Sequence, residues 1–357
     1  MIKMKKLFMI AAAATLAACS SDNGDIQSSN GPQIAEVKQP IMLGSAITPG
    51  MRSNSQTLQS DELEADTEVG VYIYFAGKQT TDNTYNYGYK NISYKVSGAV
   101  GDLAIVTAAD QPYYPDKKNQ AIDIYAFAPR VYTGTDELTS LDKVNDFSTK
   151  QDQTAEIDYR ASDFTWGVLT NQTAPPDATT KKEVKMYHKL SKVNINIAAG
   201  KGMTPSHLAG ATIKLNGVKL DGTIKLTDGT VTLRDDDPSA SPAYTNEKKA
   251  VTLTSSTAQT KTITITGAGD INGTYNDAYT SSAVIIPQEV PAADNFIEVK
   301  LADIYGGSTY KYKTTAATIF KAKEVTTYNI VLSTAGIQIT TTINNWTAGG
   351  TTSGTAE

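Results

Sequence analysis

"ATIKLNGVKLDGTIKLTDGTVTLR" (residues 211–234) decides the fold class. Its apolar residues come in pairs two positions apart: Ile213 and Leu215, Val218 and Leu220, Ile224 and Leu226, Val231 and Leu233. Alternation of that kind sets one face of a strand against a core and the other in water. Between the pairs stand Asn216-Gly217, Asp221-Gly222 and Asp228-Gly229, dipeptides that accept positive φ in tight turns. The stretch predicts a meander of short antiparallel strands.

The same period recurs along the chain. Val69, Val71, Ile73 and Phe75 alternate with Gly70, Tyr72 and Tyr74. Ile122, Ile124 and Ala126 alternate with Asp123 and Tyr125, and Val193, Ile195 and Ile197 with Asn194 and Asn196. No segment has the spacing of a long amphipathic helix; short helical turns are expected at 206–209 and within 136–152. The chain has 19 Tyr against 7 Phe and 2 Trp, a balance that suits sheets with one wet face. "NQTAPPDATTKKE" (171–183) interrupts the pattern with two prolines among small polar residues and reads as a linker. The expected fold is all-β, with two tandem antiparallel β-sandwich domains at 33–183 and 184–357.

Net charge is −5, from 32 basic and 37 acidic residues, with no basic patch. Nucleic acid is therefore not an expected partner. Lys3, Lys5 and Lys6 precede an apolar run over 7–16, about half the ~20 residues a membrane-spanning helix needs. A basic start and a short apolar run read as a secretory signal. Leu16-Ala17-Ala18-Cys19 resembles a bacterial lipobox, which implies a signal peptide of residues 1–18, cleavage before Cys19 and a lipid on its thiol. Residues 19–32 are small and polar, a flexible tether; Asp22 and Asp25 within it resemble a surface-export signal. Cys19 is the one cysteine, so no disulfide is expected and packing must hold the fold.

Nothing points to catalysis. There are two histidines, His188 in "MYHKLSKV" and His207 in "TPSHLAG". Each reads as a buried-strand or surface residue rather than a metal ligand. No G-x-S-x-G or H-E-x-x-H occurs. Asp235, Asp236 and Asp237 read as a solvated turn, and "GDINGTYND" (269–277) lacks the register and closing Glu of a calcium loop. No carboxylate pair for glycoside hydrolysis stands out. No catalytic residue, metal or cofactor is expected. In "TYNYGYKNISY", Tyr85, Tyr87 and Tyr89 are candidate glycan contacts, with Tyr94, Tyr113 and Tyr114 close by; the simpler reading is that alternate rings pave one face of a strand.

In order, several landmarks resemble the fimbrillins, the pilins and tip proteins of type V pili: "EVGVYIYF" (68–75), "AIDIYAFAP" (121–129), "SDFTWGV" (162–168), "VKMYHKLSKVNINI" (184–197), "IIPQ" (285–288) and "FKAKEVTTYNIVLSTAGIQITTTINNW" (320–346). Lys323 stands where that family usually has Gly, so the turn before Val325 is expected to differ. The resemblance implies transthyretin-like sandwiches and a lipid-anchored precursor at the outer membrane. It also implies a protease that cuts after an Arg, here Arg52. The first strand, with Ile34, Val37, Ile41 and Leu43, then leaves, and a C-terminal strand of the next subunit fills the groove.

The residues fit that scheme physically. Loop 44–54 carries Gly44, Pro49, Gly50 and Arg52, a composition open to cleavage. Ile337, Ile339, Thr341 and Ile343 share one face of the last strand, as a donor for β-augmentation would need. The three isoleucines would contribute about 5–9 kcal/mol gross when buried. The alternative is an ordinary last strand of its own domain. The implied function is a non-enzymatic structural or tip subunit of a fimbria, serving adhesion. Its partners would be other fimbrial subunits, the processing protease, outer-membrane lipid through Cys19, and a host or bacterial glycan or protein. The rival reading is a surface glycan-binding lipoprotein of a nutrient-uptake system.

Overall fold

The computed structural model describes residues 38–47, 63, 66–77, 88–97, 101–115, 120–130, 132–133, 136–137, 141, 144–255, 260–265 and 273–345. Cys19, Ile34, Val37, Arg52, Tyr85 and Tyr87 lie outside these residues. The chain is all-β. Its first half supplies β1 (Leu43–Ile47), β2 (Glu68–Phe75), β3 (Tyr89–Ser97), β4 (Asp102–Ile105), β5 (Ile122–Ala128), β6 (Tyr132–Thr133), β7 (Asp136–Glu137), β8 (Val144–Ser148), β9 (Thr165–Gln172) and β10 (Lys182–His188). The second half supplies β11 (Ser191–Ala199), β12 (Thr212–Lys219), β13 (Asp221–Lys225), β14 (Thr230–Leu233), β15 (Lys248–Thr254), β16 (Thr260–Ile265), β17 (Gly273–Ile285), β18 (Gln288–Val290), β19 (Ile297–Lys300), β20 (Thr309–Tyr312), β21 (Thr318–Phe320), β22 (Glu324–Ser333) and β23 (Gly336–Asn345). A 3₁₀ turn at Pro205–Leu208 falls where one is expected over 206–209; the described residues of 136–152 hold β7 and β8 instead of a helical turn, and the short helix α1 follows at Glu156–Ser162.

Seven strands close into a barrel in the order β1-β10-β9-β5-β2-β3-β4. The closing strand is β1. It pairs parallel with β10, from Leu43 opposite Lys182 to Ile47 opposite Met186, and antiparallel with β4, Leu43 opposite Leu103. Alternate residues of each strand point inward. Ile41, Leu43, Val69, Val71, Ile73, Val96, Ile122, Ile124, Val184 and Met186 form the barrel core, all buried.

The second half stacks a five-stranded sheet, β16-β17-β11-β22-β23, on a four-stranded one, β15-β12-β19-β20. Val193, Ile195 and Ile197 of β11 meet Ile213 and Leu215 of β12, Val299 of β19 and Ile330 of β22 in one core. β11 and β22 run parallel; the other pairs of these two sheets are antiparallel. A third core draws on both halves. Tyr72, Tyr125, Phe127, Phe147, Tyr159 and Phe164 pack with Ile224, Leu226, Val284 and Ile286. Ring centroids of Tyr72 and Phe127 are 6.0 Å apart, of Phe127 and Phe164 6.4 Å, and of Phe147 and Phe164 5.8 Å, spacings at which aromatic pairs add to plain burial.

The expected meander over 211–234 is corrected. Only Asp228-Gly229 closes a hairpin, between β13 and β14. Asn216-Gly217 is a β-bulge inside β12, where the register against β15 shifts between Asn216 and Val218. Gly217 takes a φ of +80° there, which an L side chain resists. The interval of three from Leu215 to Val218, against two from Ile213 to Leu215 and from Val218 to Leu220, is the mark of that bulge. Asp221-Gly222 lies within β13, which pairs with β8 and β14 rather than with β12. The apolar alternation continues past it because the chain leaves one core and enters another. Leu220 is buried in the second-half core, and Ile224 and Leu226 in the shared one.

Candidate functional site: the closing strand, the edge strand and a buried charge cluster

The segment before and within β1 is stitched on both sides. Tyr114 N–H donates to Gln39 O at 2.9 Å, Ile41 N–H to Pro112 O at 2.9 Å, and Lys182 N–H to Met42 O at 2.8 Å. Gln111 Nε2 donates to Ile41 O at 3.2 Å. Ile41 and Leu43 are fully enclosed, at 0% exposure. Burying the two side chains contributes about 3–6 kcal/mol. Removing this strand would leave an apolar trough and two open ladder edges, one on β10 and one on β4.

Ser45 sits in the same row. It is buried, and both its N–H (2.6 Å) and its Oγ (3.2 Å) donate to Gly101 O. Gly101 has a φ of +60°, and a Cβ on it would come within 2.1 Å of Ser45 O. The backbone of β1 therefore rests directly on that glycine. The alternation of "IMLGSAI" (41–47) puts Ser45 in the inward row; that was the signal for it, and the sequence reading passed over it.

β23 is an edge strand of the five-stranded sheet, held along one side by β22 from Ser333 opposite Gly336 to Glu324 opposite Asn345. Ile337, Ile339, Thr341 and Ile343 stand across from Leu332, Ile330, Tyr328 and Thr326, all buried. Ile337 and Ile339 are half-buried against the second-half core. Ile343 is 36% exposed. The predicted donor residues therefore share a face, and that face is only partly covered. Ile337 and Ile339 pack against a different core from the pair Ile41 and Leu43.

Of the aromatic cluster, Tyr94 and Tyr114 are core residues. Burial pushes the Tyr114 phenol up to about 12 and the Tyr94 phenol further, with Tyr89 adding to the latter. Tyr89 is half-buried, and its hydroxyl accepts the Tyr113 N–H at 3.0 Å.

His188 is buried, 3.0 Å from the equally buried Asp163. Lys192 lies nearby, also buried; burial lowers its pKa and the Asp163 charge opposes the shift. The Tyr159 phenol is pushed well up, by burial first and by Asp163 second. His207 instead closes a 3₁₀ turn, its Nδ1 accepting the Thr204 N–H at 3.0 Å. Asp237 caps its own turn through Ser239. Among the described residues no three metal-ligating side chains come together, and no helix is long and apolar enough to cross a membrane.

Lys323 has a φ of +64°. Lysine thus holds the left-handed turn that glycine would take at no steric cost, and its N–H donates to Leu190 O at 2.8 Å.

A family model described as fimbrillin-like matches residues 54–346. Among curated proteins nothing matches the chain. Two solved structures share its fold. One is a protein of Bacteroides ovatus described as a candidate cell adhesion protein, with 16% identity, a TM-score of 0.59, and 88% of this chain and 100% of that one covered. The other, from Bacteroides uniformis and described in the same words, has 18% identity, a TM-score of 0.54, and 87% and 100% covered.

Proposed function

The chain belongs to the fimbrillin-like family, and from that premise we propose that it is a non-enzymatic subunit of a cell-surface fimbria, serving adhesion. In this reading it is exported as a lipoprotein through Cys19, cut after Arg52, and assembled by exchange of its first strand for the last strand of a neighbour. The observation that carries the reading is the position of β1. One short strand closes the barrel, bonded on both edges and anchored by Ile41 and Leu43.

While the chain is intact, the strand is tethered and returns to its groove at high effective concentration. A cut in the following segment removes that advantage. The vacated trough then exposes apolar surface and two ladder edges, and a replacement strand satisfies both. β23 is suited to supply it, being bonded on one side and incompletely buried on its apolar face.

The test uses the full chain with Cys19→Ser, which stays unlipidated, exposed to limiting trypsin. Expected are an N-terminal fragment ending at Arg52, ladders on gels and fibres by electron microscopy. Unchanged polymerisation in an Arg52→Ala variant would remove the processing site. Unchanged polymerisation after deletion of 336–357 would remove the donor.

A further inference from the structure

Two lysines meet where the barrel gives way to the second half. Lys189 directly follows β10. It continues the outward row of Lys185 and Tyr187, while Val184, Met186 and His188 face inward. Its Nζ sits 4.4 Å from the centre of the Trp166 ring and donates to Asp228 O at 3.1 Å. Trp166 is fixed in turn. Its Nε1 donates to Leu226 O at 2.6 Å, and a Cβ on Gly229 would come within 2.6 Å of its ring. Lys323, just before β22, comes to the same place: its N–H donates to Leu190 O at 2.8 Å, one residue past Lys189.

Among the described residues neither ammonium pairs with a carboxylate. Asp228, the acidic residue that acts on Lys189, is engaged by Lys225 at 3.5 Å and by the Thr230 N–H at 2.8 Å. Glu324, next to Lys323 in the chain, pairs with Lys321 at 3.8 Å. The two cations act on each other instead: burial first and Lys323 second hold the Lys189 ammonium down to about 8. Lys323 keeps its place at a φ of +64°, where glycine would sit without strain. A strained backbone that sets one cation beside another costs stability in the free chain, and such costs cluster at ligand sites.

An oxyanion between the two ammoniums would offset their repulsion and give each a charge-assisted hydrogen bond. The Tyr187 ring, across from Trp166 in the β9–β10 pair and 39% exposed, stands beside them. It offers an apolar face to the C–H side of a sugar. The chain's net charge of −5 works against a long polyanion such as nucleic acid and favours a ligand whose charges are sparse. We propose that Lys189 and Lys323, flanked by Tyr187, form an oxyanion site whose ligand is an acidic saccharide, a sugar bearing sulfate or carboxylate. The site names what the adhesion proposed above would hold, and it rests on that reading for its purpose alone. Binding is measured on uncut chain, so its outcome is separate from that of export, cleavage and strand exchange.

Titration calorimetry on the full chain with Cys19→Ser tests the site. The probes are a sulfated oligosaccharide, an oligouronate, the desulfated neutral sugar and a glutamate oligopeptide. The parent is expected to bind at least one acidic sugar and neither of the other two. Lys189→Met and Lys323→Gly should each weaken that binding about tenfold or more, and Tyr187→Ser should weaken it too. Lys300→Gln, which removes the same charge from β19, should leave it unchanged. Lys323→Gly should melt no lower than the parent, so that its loss is one of binding and not of folding. Lys323→Gln, which keeps the strain and removes the charge, should bind as poorly as Lys323→Gly. Equal affinity in the parent, Lys189→Met and both Lys323 variants overturns the site. So does an equal loss in Lys300→Gln, which would mean that overall charge decides, or a parent that binds no acidic sugar. Tighter binding of the glutamate peptide than of either acidic sugar, or no effect of Tyr187→Ser, overturns the saccharide as the ligand.

Discussion

His188 Nδ1 lies 3.0 Å from Asp163 Oδ1, with both residues buried. The aspartate comes from "SDFTWGV" and the histidine from "VKMYHKLSKVNINI", so the contact joins two stretches on either side of the β9–β10 connection. Lys192, from the second stretch, is buried within the field of the same carboxylate. Removing that carboxylate takes a buried partner from His188 and the charge that favours the Lys192 ammonium. Asp163→Ala is expected to cost about 3–5 kcal/mol, read by urea unfolding. Adding Lys192→Met should restore part of the loss. A double variant less stable than the sum of the two singles would count against this pairing.

Gly101 should tolerate no side chain. Gly101→Ala adds left-handed strain and a Cβ 2.1 Å from Ser45 O, and the expected loss exceeds about 2 kcal/mol. Gly210 has a similar φ of +70° but open space around it, so Gly210→Ala should cost only about 1–2 kcal/mol. Equal losses at the two sites, measured by denaturant unfolding, would show that the contact with β1 matters little.

Leu43 and Ile343 separate folding from the proposed assembly. Leu43 is fully buried, so Leu43→Ala should destabilise the intact chain by about 2–5 kcal/mol. Ile343 is 36% exposed at a sheet edge, so Ile343→Ala should shift the stability of the intact chain by no more than about 1 kcal/mol. Thermal melts of the uncut protein decide between these figures.

Lys323→Gly should stabilise the chain. The lysine holds a φ of +64°, a conformation that costs a non-glycine residue about 1–2 kcal/mol. Glycine's greater freedom in the unfolded chain returns about 0.5–1 kcal/mol of that. A gain of up to about 1.5 kcal/mol is expected. The Lys189 ammonium, held down to about 8 by burial first and by Lys323 second, should titrate at higher pH in the variant. A fall in melting temperature would mean that the Lys323 side chain contributes something more than its backbone.

Alkaline pH should unfold the protein through its buried phenols. Tyr114 is raised to about 12, and Tyr94, Tyr159 and Tyr328 lie higher still. Their folded pKa values exceed the ordinary 10.0, so the folded state holds protons that the unfolded chain gives up. This stabilisation is complete below pH 10 and is lost as pH rises through 12. Lys189 acts oppositely, adding stability as pH climbs from about 8 to 10.5, and Lys192, also lowered by burial, acts in the same sense, but two amines are outnumbered by four phenols. Melting temperatures should fall beyond pH 10, while absorbance at 295 nm shows a set of tyrosines that ionise only on unfolding. A single titration of all tyrosines near 10 in folded protein would refute this.

The class of the fold was legible because alternation is local. Val69, Val71 and Ile73 announce a strand whatever they pair with. The partners were not legible. β1 bonds to β10 and β4 from far away in the chain, and nothing in "LGSAI" names either. The dipeptide Asn216-Gly217 shows why turn signals mislead: a residue with positive φ serves a bulge as well as a hairpin, and the three-residue interval to Val218 was the discriminating clue. At the site, the burial of Ile41 and Leu43 followed from their spacing. The role of Ser45 did not, since a buried hydroxyl is explained only by the carbonyl it meets. His188 was readable as a buried strand residue, and Asp163 as its partner only from three dimensions.

The run from Thr212 to Leu226 crosses from the core of the stacked sheets into the core shared with the barrel, with Gly217 as its one bulge. Only Leu220 separates the two strands of that run, so a displacement of one core reaches the other through hydrogen-bonded strand rather than through a loop.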